Sequence, residues 1–504
     1  MREDCIECTF EDLLDYEQPT KYIVRSTKYS DAYKTPVLTA GKSFIKGYTN
    51  ETDGIFDDLP TIIFDDFTTA TQFVDFAFKV KSSAMKILVP TSKLINIKFL
   101  YNCIQVNQVR NDTHKRYWIS VYAKKKMLLP PLVEQLAILA KTEELFSDLD
   151  NGIANFKKAK EQLKTYRQAV LKKAFEGELT KDWRAKQSNL PNAEQLLKQI
   201  KEERQNHYNQ QILDWKKATK DWEKNRKESQ RPIKPKKLAE LPNLKEDVLS
   251  KLPIIPNNWI YNYLAYAGEL GRGKSKHRPR NDKRLFGGNY PFFQTGEVKA
   301  QKLIKNYSQT YNEFGLKQSK LWKKGTLCIT IAANIADTGF LGIDACFPDS
   351  IVGYNSFKNV VDERFIEYFF QSAKSKISAF APATAQKNIN LNTLENLVIP
   401  FCSIQEQTEI IQEIESRLSV CDKVEQSINE SILKAEVLRQ SILKKAFEGN
   451  LLNKAEIEQC KTAAGYEPAS ELLKKIKAEK LAKEEALKKT QGKKKIITKK
   501  KSKI

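Results

Sequence analysis

LKTYRQAVLKKAFEG at residues 163–177 and AEVLRQSILKKAFEG at residues 435–449 are two copies of one motif in one chain. Arg167, Gln168, Leu171, Lys172, Lys173, Ala174, Phe175, Glu176 and Gly177 all recur at a constant offset of 272. The same offset carries Glu134-Gln135 onto Glu406-Gln407 and Ile138 onto Ile410. After a four-residue slip, Leu196-Leu197-Lys198 matches Leu472-Leu473-Lys474. A long-range repeat of this kind is a duplication, and it organises everything else in the chain.

Both copies have helical periodicity. In the second, Ile410, Ile414, Leu418, Cys421, Val424, Ile428, Ile432, Ala435, Leu438 and Ile442 step by three or four, leaving Glu, Lys and Gln on the other faces. The first copy supplies Ile138, Phe146, Leu149, Phe156, Leu163, Tyr166 and Val170. Pro130-Pro131 and Pro400 stand just before the helices, and Gly177 and Gly449 suit their C-terminal stops. A helix of about 44 residues is roughly 65 Å long, and a stripe of that length needs a partner along it. Antiparallel pairing of the two copies as a coiled coil satisfies both stripes at once. The alternative is that each helix packs only on its own domain.

The expected architecture is therefore α+β, with two β-rich domains separated by two long antiparallel helices. Residues 1–130 form the first β-rich block, 131–181 the first helix, and 182–250 a short helix with a Pro/Lys-rich linker. Residues 251–400 form the second block, 401–453 the second helix, and 454–504 a short helix with a basic, disordered tail. At 504 residues, several domains are the normal expectation.

The net charge of +23 points to a polyanionic partner, although +10 of it lies within residues 475–504. No apolar run approaches the roughly 18 residues of a membrane span, and the N-terminus lacks signal-peptide order, so a cytoplasmic protein is expected. Eight scattered cysteines and three histidines leave few ligands for a metal centre.

Polar and basic side chains suited to phosphates and base edges cluster in the two blocks. In the first they are Lys42, Ser43, Lys46, Tyr48 and Thr49, then Thr68, Thr69, Thr71 and Gln72. In the second, Arg272, Lys274, Lys276, His277, Arg278 and Arg280 fall within nine residues, followed by Gln294, Thr295 and Asn334. Signals for catalysis are weak. Residues 268–275 fit GxxxxGK[ST], but a proline-broken basic loop follows where a phosphate-binding helix should open. Asp65-Asp66 has no companion Glu-x-Lys and suits a structural or base-contacting role better than metal binding.

With the paired LKKAFEG ends, Leu252-Pro253-x-x-Pro256-x-x-Trp259, Pro400 through Glu406-Gln407, and GGNYPFFQTGEV at residues 287–298, the chain resembles the specificity subunits of type I restriction–modification systems. That resemblance implies two target-recognition domains, each reading half of a bipartite asymmetric DNA sequence, with the helices as a spacer. It implies two methyltransferase subunits as partners, and two restriction subunits as further ones. S-adenosylmethionine, ATP and Mg2+ would belong to those partners, and this chain would be non-catalytic. The Leu-Pro-Trp opening is absent from block one, which suggests a shortened or different first domain. The competing readings are a stand-alone enzyme that modifies or cuts nucleic acid, and a structural coiled-coil protein.

Overall fold

A computed structural model describes residues 4–501 apart from 40–42, 107–115, 225–230, 238–239, 241, 301, 333 and 380–388. The chain divides into two compact units, Met1–Lys158 with Ile428–Ile504, and Ala159–Ser427. This division differs from a run of consecutive domains, because both long helices are shared between the units.

The helices span Leu132–Phe175 and Ile404–Phe447, 44 residues each. Their starts are built alike. Gln135 donates from its amide to the Pro130 carbonyl at 2.9 Å, and Gln407 donates to the Cys402 carbonyl at 2.9 Å, the same contact 272 residues on. Their ends are alike too. Gly177 and Gly449 adopt φ of +75° and +76°, and Glu178 and Asn450 donate backwards to the carbonyls of Lys173 and Lys445. The repeated glycine is there because this left-handed position penalises any side chain.

Within the first unit, the helices run antiparallel. Asp150 pairs with Arg439, whose guanidinium lies over the Phe146 ring at 4.4 Å, and Lys141 pairs at 3.5 Å with Glu456 in the short helix that follows the second long one. The second unit shows the same direction, with Lys160 to Glu425 at 3.4 Å and Arg167 to Asp422 at 2.7 Å. The antiparallel coiled-coil arrangement is thus formed in each unit. The repeated phenylalanine anchors each helix end to a β-rich block. Phe175 packs on Phe365 and Phe369, and Phe447 on Phe99.

The first unit contains a four-stranded antiparallel sheet, ordered Leu14–Glu17, Met85–Pro90, Thr61–Asp65, Thr71–Val74. A second sheet places Thr35–Leu38 between Ile45–Thr49 and Lys79–Val80. The second unit is centred on five strands, ordered Gly268–Arg272, Ile351–Ser356, Leu327–Thr330, Thr338–Leu341, Leu303–Ile304. Each block is closed by a two-stranded ribbon, Ile6–Thr9 with Lys126–Leu129 and Ile260–Tyr263 with Val398–Phe401. The second strands of those ribbons again sit 272 residues apart. The first block therefore has its closing ribbon despite lacking the Leu-Pro-Trp opening.

The four-residue slip marks a further pair of elements. Helices Ala193–Lys224 and Ala469–Lys501 begin at corresponding places and bury Leu196 with Ile200, and Leu472 with Leu473 and Ile476. The expected disordered basic tail is, up to Lys501, a helix. Its first turns are held on the first block, where Lys477 meets Asp12 at 3.0 Å and Lys480 meets Asp15 at 3.2 Å. Apolar burial of one face is what allows so cationic a segment to be helical there.

A Cβ at Gly177 would lie 2.5 Å from the Pro256 ring, whereas at Gly449 the nearest atom is a Leu128 methyl at 3.1 Å. Gly177→Ala should therefore cost about 2 kcal/mol or more, and Gly449→Ala only the backbone strain of about 1. Thermal unfolding of the two variants side by side checks the difference; equal shifts would contradict it.

Candidate nucleic-acid interface

Strand register gathers the candidate residues of the second block. Arg272 pairs with Val352 at the end of one strand, and Thr330 pairs with Ile351 at the end of another, so three loops leave one end of the five-stranded sheet. They are the basic loop after Arg272, the Pro348–Ser350 corner, and the turn containing Asn334. Arginines tie the first two together. Arg272 donates from Nε to the Asp349 carbonyl at 2.5 Å, and Arg280 Nη2 reaches the two Asp349 carboxylate oxygens at 2.8 and 2.9 Å. Arg278 donates to the carbonyls of Ser275 and His277 at 2.6 and 2.8 Å.

Inside the loop, Asp282 accepts from the Arg284 side chain and backbone, and His277 Nε2 lies 2.7 Å from its carboxylate. The Arg284 hydrogen bonds, followed by the His277 contact, hold this carboxyl well below the usual range. The arginines thus serve first to fix the loop. Lys274 and Lys276 are exposed, with no side-chain ion pair among the described residues, which suits them to mobile phosphate partners.

A cavity of about 250 Å³ opens beside this loop, lined by Arg280, Asn281, Gln294, Thr295, Gln309 and Ser350, with Phe286 and Phe292 contributing apolar surface. Three of the candidate residues, Arg280, Gln294 and Thr295, are thereby brought together. Asn334 is half-buried, and its carbonyl closes its own turn by accepting from the Thr330 hydroxyl. Gln309 is not among the sequence candidates. It lies fifteen residues from Gln294 and reaches it only because Phe292 pairs with Gln309 across two strands.

The P-loop pattern does not survive. Gly268–Arg272 is a β-strand, and its glycines are explained by packing: a Cβ at Gly268 would meet Tyr354 at 2.5 Å and one at Gly271 would meet Trp322 at 2.6 Å. At Gly273 a Cβ would press on the Pro348 carbonyl at 2.2 Å.

The first block needs larger corrections. Asp65 accepts from the backbone N–H groups of Phe67 and Thr68 at 2.8 and 3.0 Å, building the tight turn between two strands. Asp66 is buried and accepts from the Trp118 N–H at 2.8 Å. Of the two roles left open for these aspartates, structural and base-contacting, these hydrogen bonds favour the structural one. Thr69, Thr71 and Thr49 are buried and cannot offer their side chains to DNA as placed. Thr69 occupies the left-handed corner of the turn at φ +57°, and the Thr71 hydroxyl accepts from Gln105. Ser43, Lys46 and Thr68 are exposed, Tyr48 and Gln72 half-exposed, and Lys42 falls outside the described residues. All eight cysteines are buried, and burial pushes the Cys8 thiol up to about 12. Among the described residues there is no cluster of three potential metal ligands, and no helix is long and apolar enough to cross a membrane.

Fold and site together define a class: one scaffold, duplicated in its helices and divergent in its two β-rich blocks, with a cationic loop cluster in the second. Residues 267–434 match the type I restriction modification DNA specificity domain. The specificity subunit of the EcoR124I/EcoR124II type I restriction enzyme of Escherichia coli is 50% identical over 125 residues, 24% of this chain and 31% of that protein. The EcoBI specificity subunit, also of Escherichia coli, is 25% identical over 70% of this chain and 64% of its own length. The match thus spans less than two thirds of either relative. Among solved structures, the HsdS subunit from Thermoanaerobacter tengcongensis superposes with a TM-score of 0.50 at 14% identity, covering 90% of this chain and 98% of that one. A chain from a structure of type I R-M system assembly gives 0.57, also at 14%, over 90% and 99%. These two likenesses establish the shared fold. The chain is thus similar to type I restriction–modification specificity subunits over the parts that these comparisons cover.

Proposed function

We propose that this chain is the DNA-reading subunit of a type I restriction–modification complex, each block recognising one half of a bipartite asymmetric duplex sequence. The observation that carries this reading is the combination of near-identical helix starts and ends with unlike blocks. A scaffold kept the same while the surfaces it holds diverge is what two different half-sites on one spacer require. The relatives named above are specificity subunits, which supports the same reading. Methyltransferase subunits assemble on the helices, and restriction subunits join that complex; S-adenosylmethionine, ATP and Mg2+ are theirs. Exposed apolar side chains favour such docking, namely Val420 and Val424 in the second unit and Leu433 and Val437 in the first.

Mapping methyladenine across the genome with and without this gene tests the function. One split, asymmetric motif should disappear with the gene. The purified chain alone, given S-adenosylmethionine or ATP and Mg2+, should neither methylate nor cut; activity there favours a stand-alone enzyme instead.

The two exposed lysines of the basic loop give a sharper expectation. Lys274→Ala with Lys276→Ala should weaken binding to all duplexes about equally and reduce the slope of log K against log salt by about 2, near 0.9 per phosphate contact. A changed sequence preference with an unchanged slope would show that these lysines read bases.

A further inference from the structure

We infer that Gln294, braced by Gln309, is the base-reading element of the second block and that it selects adenine through the major groove. This rests on the DNA-reading function proposed above and assigns one specificity-determining side chain to it.

The geometry has three parts. First, the backbone under Gln294 is fixed. Its N–H donates to Glu297 Oε2 at 2.9 Å, while Glu297 Oε1 accepts from the Ser308 hydroxyl at 2.8 Å. One carboxylate thus ties the Gln294 segment to the residue preceding Gln309. Second, the two amides are joined, because Gln294 Nε2 donates to Gln309 Oε1 at 3.2 Å. Third, both side chains are exposed at the rim of the cavity that Arg280 also lines.

That bond decides what remains on offer. Gln294 keeps its Oε1, which accepts from no described residue, and its second amide hydrogen, an acceptor and a donor on one edge. In the major groove this pair complements the N6 donor and N7 acceptor of adenine. Guanine presents two acceptors there and cytosine a donor, so neither matches both groups. A neutral amide also gains little from a phosphate, which the neighbouring lysines serve better. A purely structural role explains the arrangement less well. An exposed amide–amide bond adds little to stability, yet two further side chains, Glu297 and Ser308, brace the segments that carry it. Preorganisation of that kind is useful where a side chain must meet a base edge in one orientation. Arg280, held by Asp349, lines the same cavity. Glu297 acts as a positioning residue.

Selection from a randomised duplex library tests this, using the full chain with whatever subunits co-purify from cells. The wild type should enrich a split motif with adenine at one position of one half. Gln294→Ala should lower the preference at that position alone by roughly five- to 150-fold. Gln294→Glu offers only acceptors and should shift the preference at that position towards cytosine, a gain that misfolding cannot imitate. Glu297→Ala should blur the same position and no other. An unchanged motif in the Gln294 variants overturns the inference while leaving the proposed function standing, and so does uniform loss of binding to every sequence. Failure of the wild type to enrich any motif removes the proposed function, and the inference with it.

Discussion

Replacing Glu406 with alanine is expected to destabilise the second unit by about 3–5 kcal/mol, several times what losing an exposed ion pair would do. Glu406 is fully buried and accepts four hydrogen bonds from two other stretches of chain. Thr180 Oγ1 and Arg184 Nε each donate to Oε1 at 2.8 Å, just past the end of the first long helix. Trp259 Nε1 donates to Oε2 at 2.9 Å and Asn258 Nδ2 at 3.3 Å, at the opening of the second block. Glu406 itself lies in the first turn of the second long helix. One carboxylate therefore joins the end of one helix, the start of the other and the entry of the second block. Alanine leaves a buried indole N–H and hydroxyl, and a half-buried guanidinium and amide, without their acceptor, and the unpaired charge dominates the loss. Glutamine keeps one acceptor and should cost roughly half as much. Lys172→Ala, which removes only an exposed pair with Glu176 at 3.8 Å, should change stability by less than about 0.5 kcal/mol. Denaturant unfolding of the three variants orders them; a Glu406→Ala midpoint close to that of Lys172→Ala would show that the network contributes nothing net.

The same network separates what is legible in the sequence from what is not. Glu406-Gln407 is visible as a repeat of Glu134-Gln135, and Trp259 as part of a recognisable opening. That they converge on Thr180 and Arg184 depends on bringing together residues 222 and 226 apart in the chain, which no local pattern encodes. The helices are legible because a 3.6-residue period, prolines before and glycines after are all local signals. The C-terminal arm reads as disordered because lysine repels lysine in an isolated segment, while its apolar face is satisfied only by the first block. Thr69 and Thr71 stand out in sequence as polar residues near a turn. Whether a threonine in a strand faces water or core depends on register, and here Thr71 faces inward while Thr68, at the turn tip, faces out. Gln309 carries no signal at all until strand pairing places it beside Gln294.

Removing one helical turn from both long helices together is expected to shorten the gap between the two half-sites by one or two base pairs. Four residues make about 6 Å of helix, against roughly 3.4 Å per base pair. Deleting four residues from the first helix alone, within 143–160, should instead abolish assembly or binding, because the second helix still holds its original length. The contacts on either side of the cut would then demand different registers. Asp150 with Arg439, and Arg167 with Asp422, cannot both form when one rod is a turn shorter than the other. A matched deletion, residues 152–155 with 432–435, keeps both rods equal and their side-chain faces nearly aligned, since four residues rotate a helix by only about 40° beyond a full turn. The double deletion should therefore restore what the single one loses, at a new spacing. Sequencing of methylated sites reads the gap directly. Restored methylation at the original spacing would mean that something other than the paired helices measures the distance.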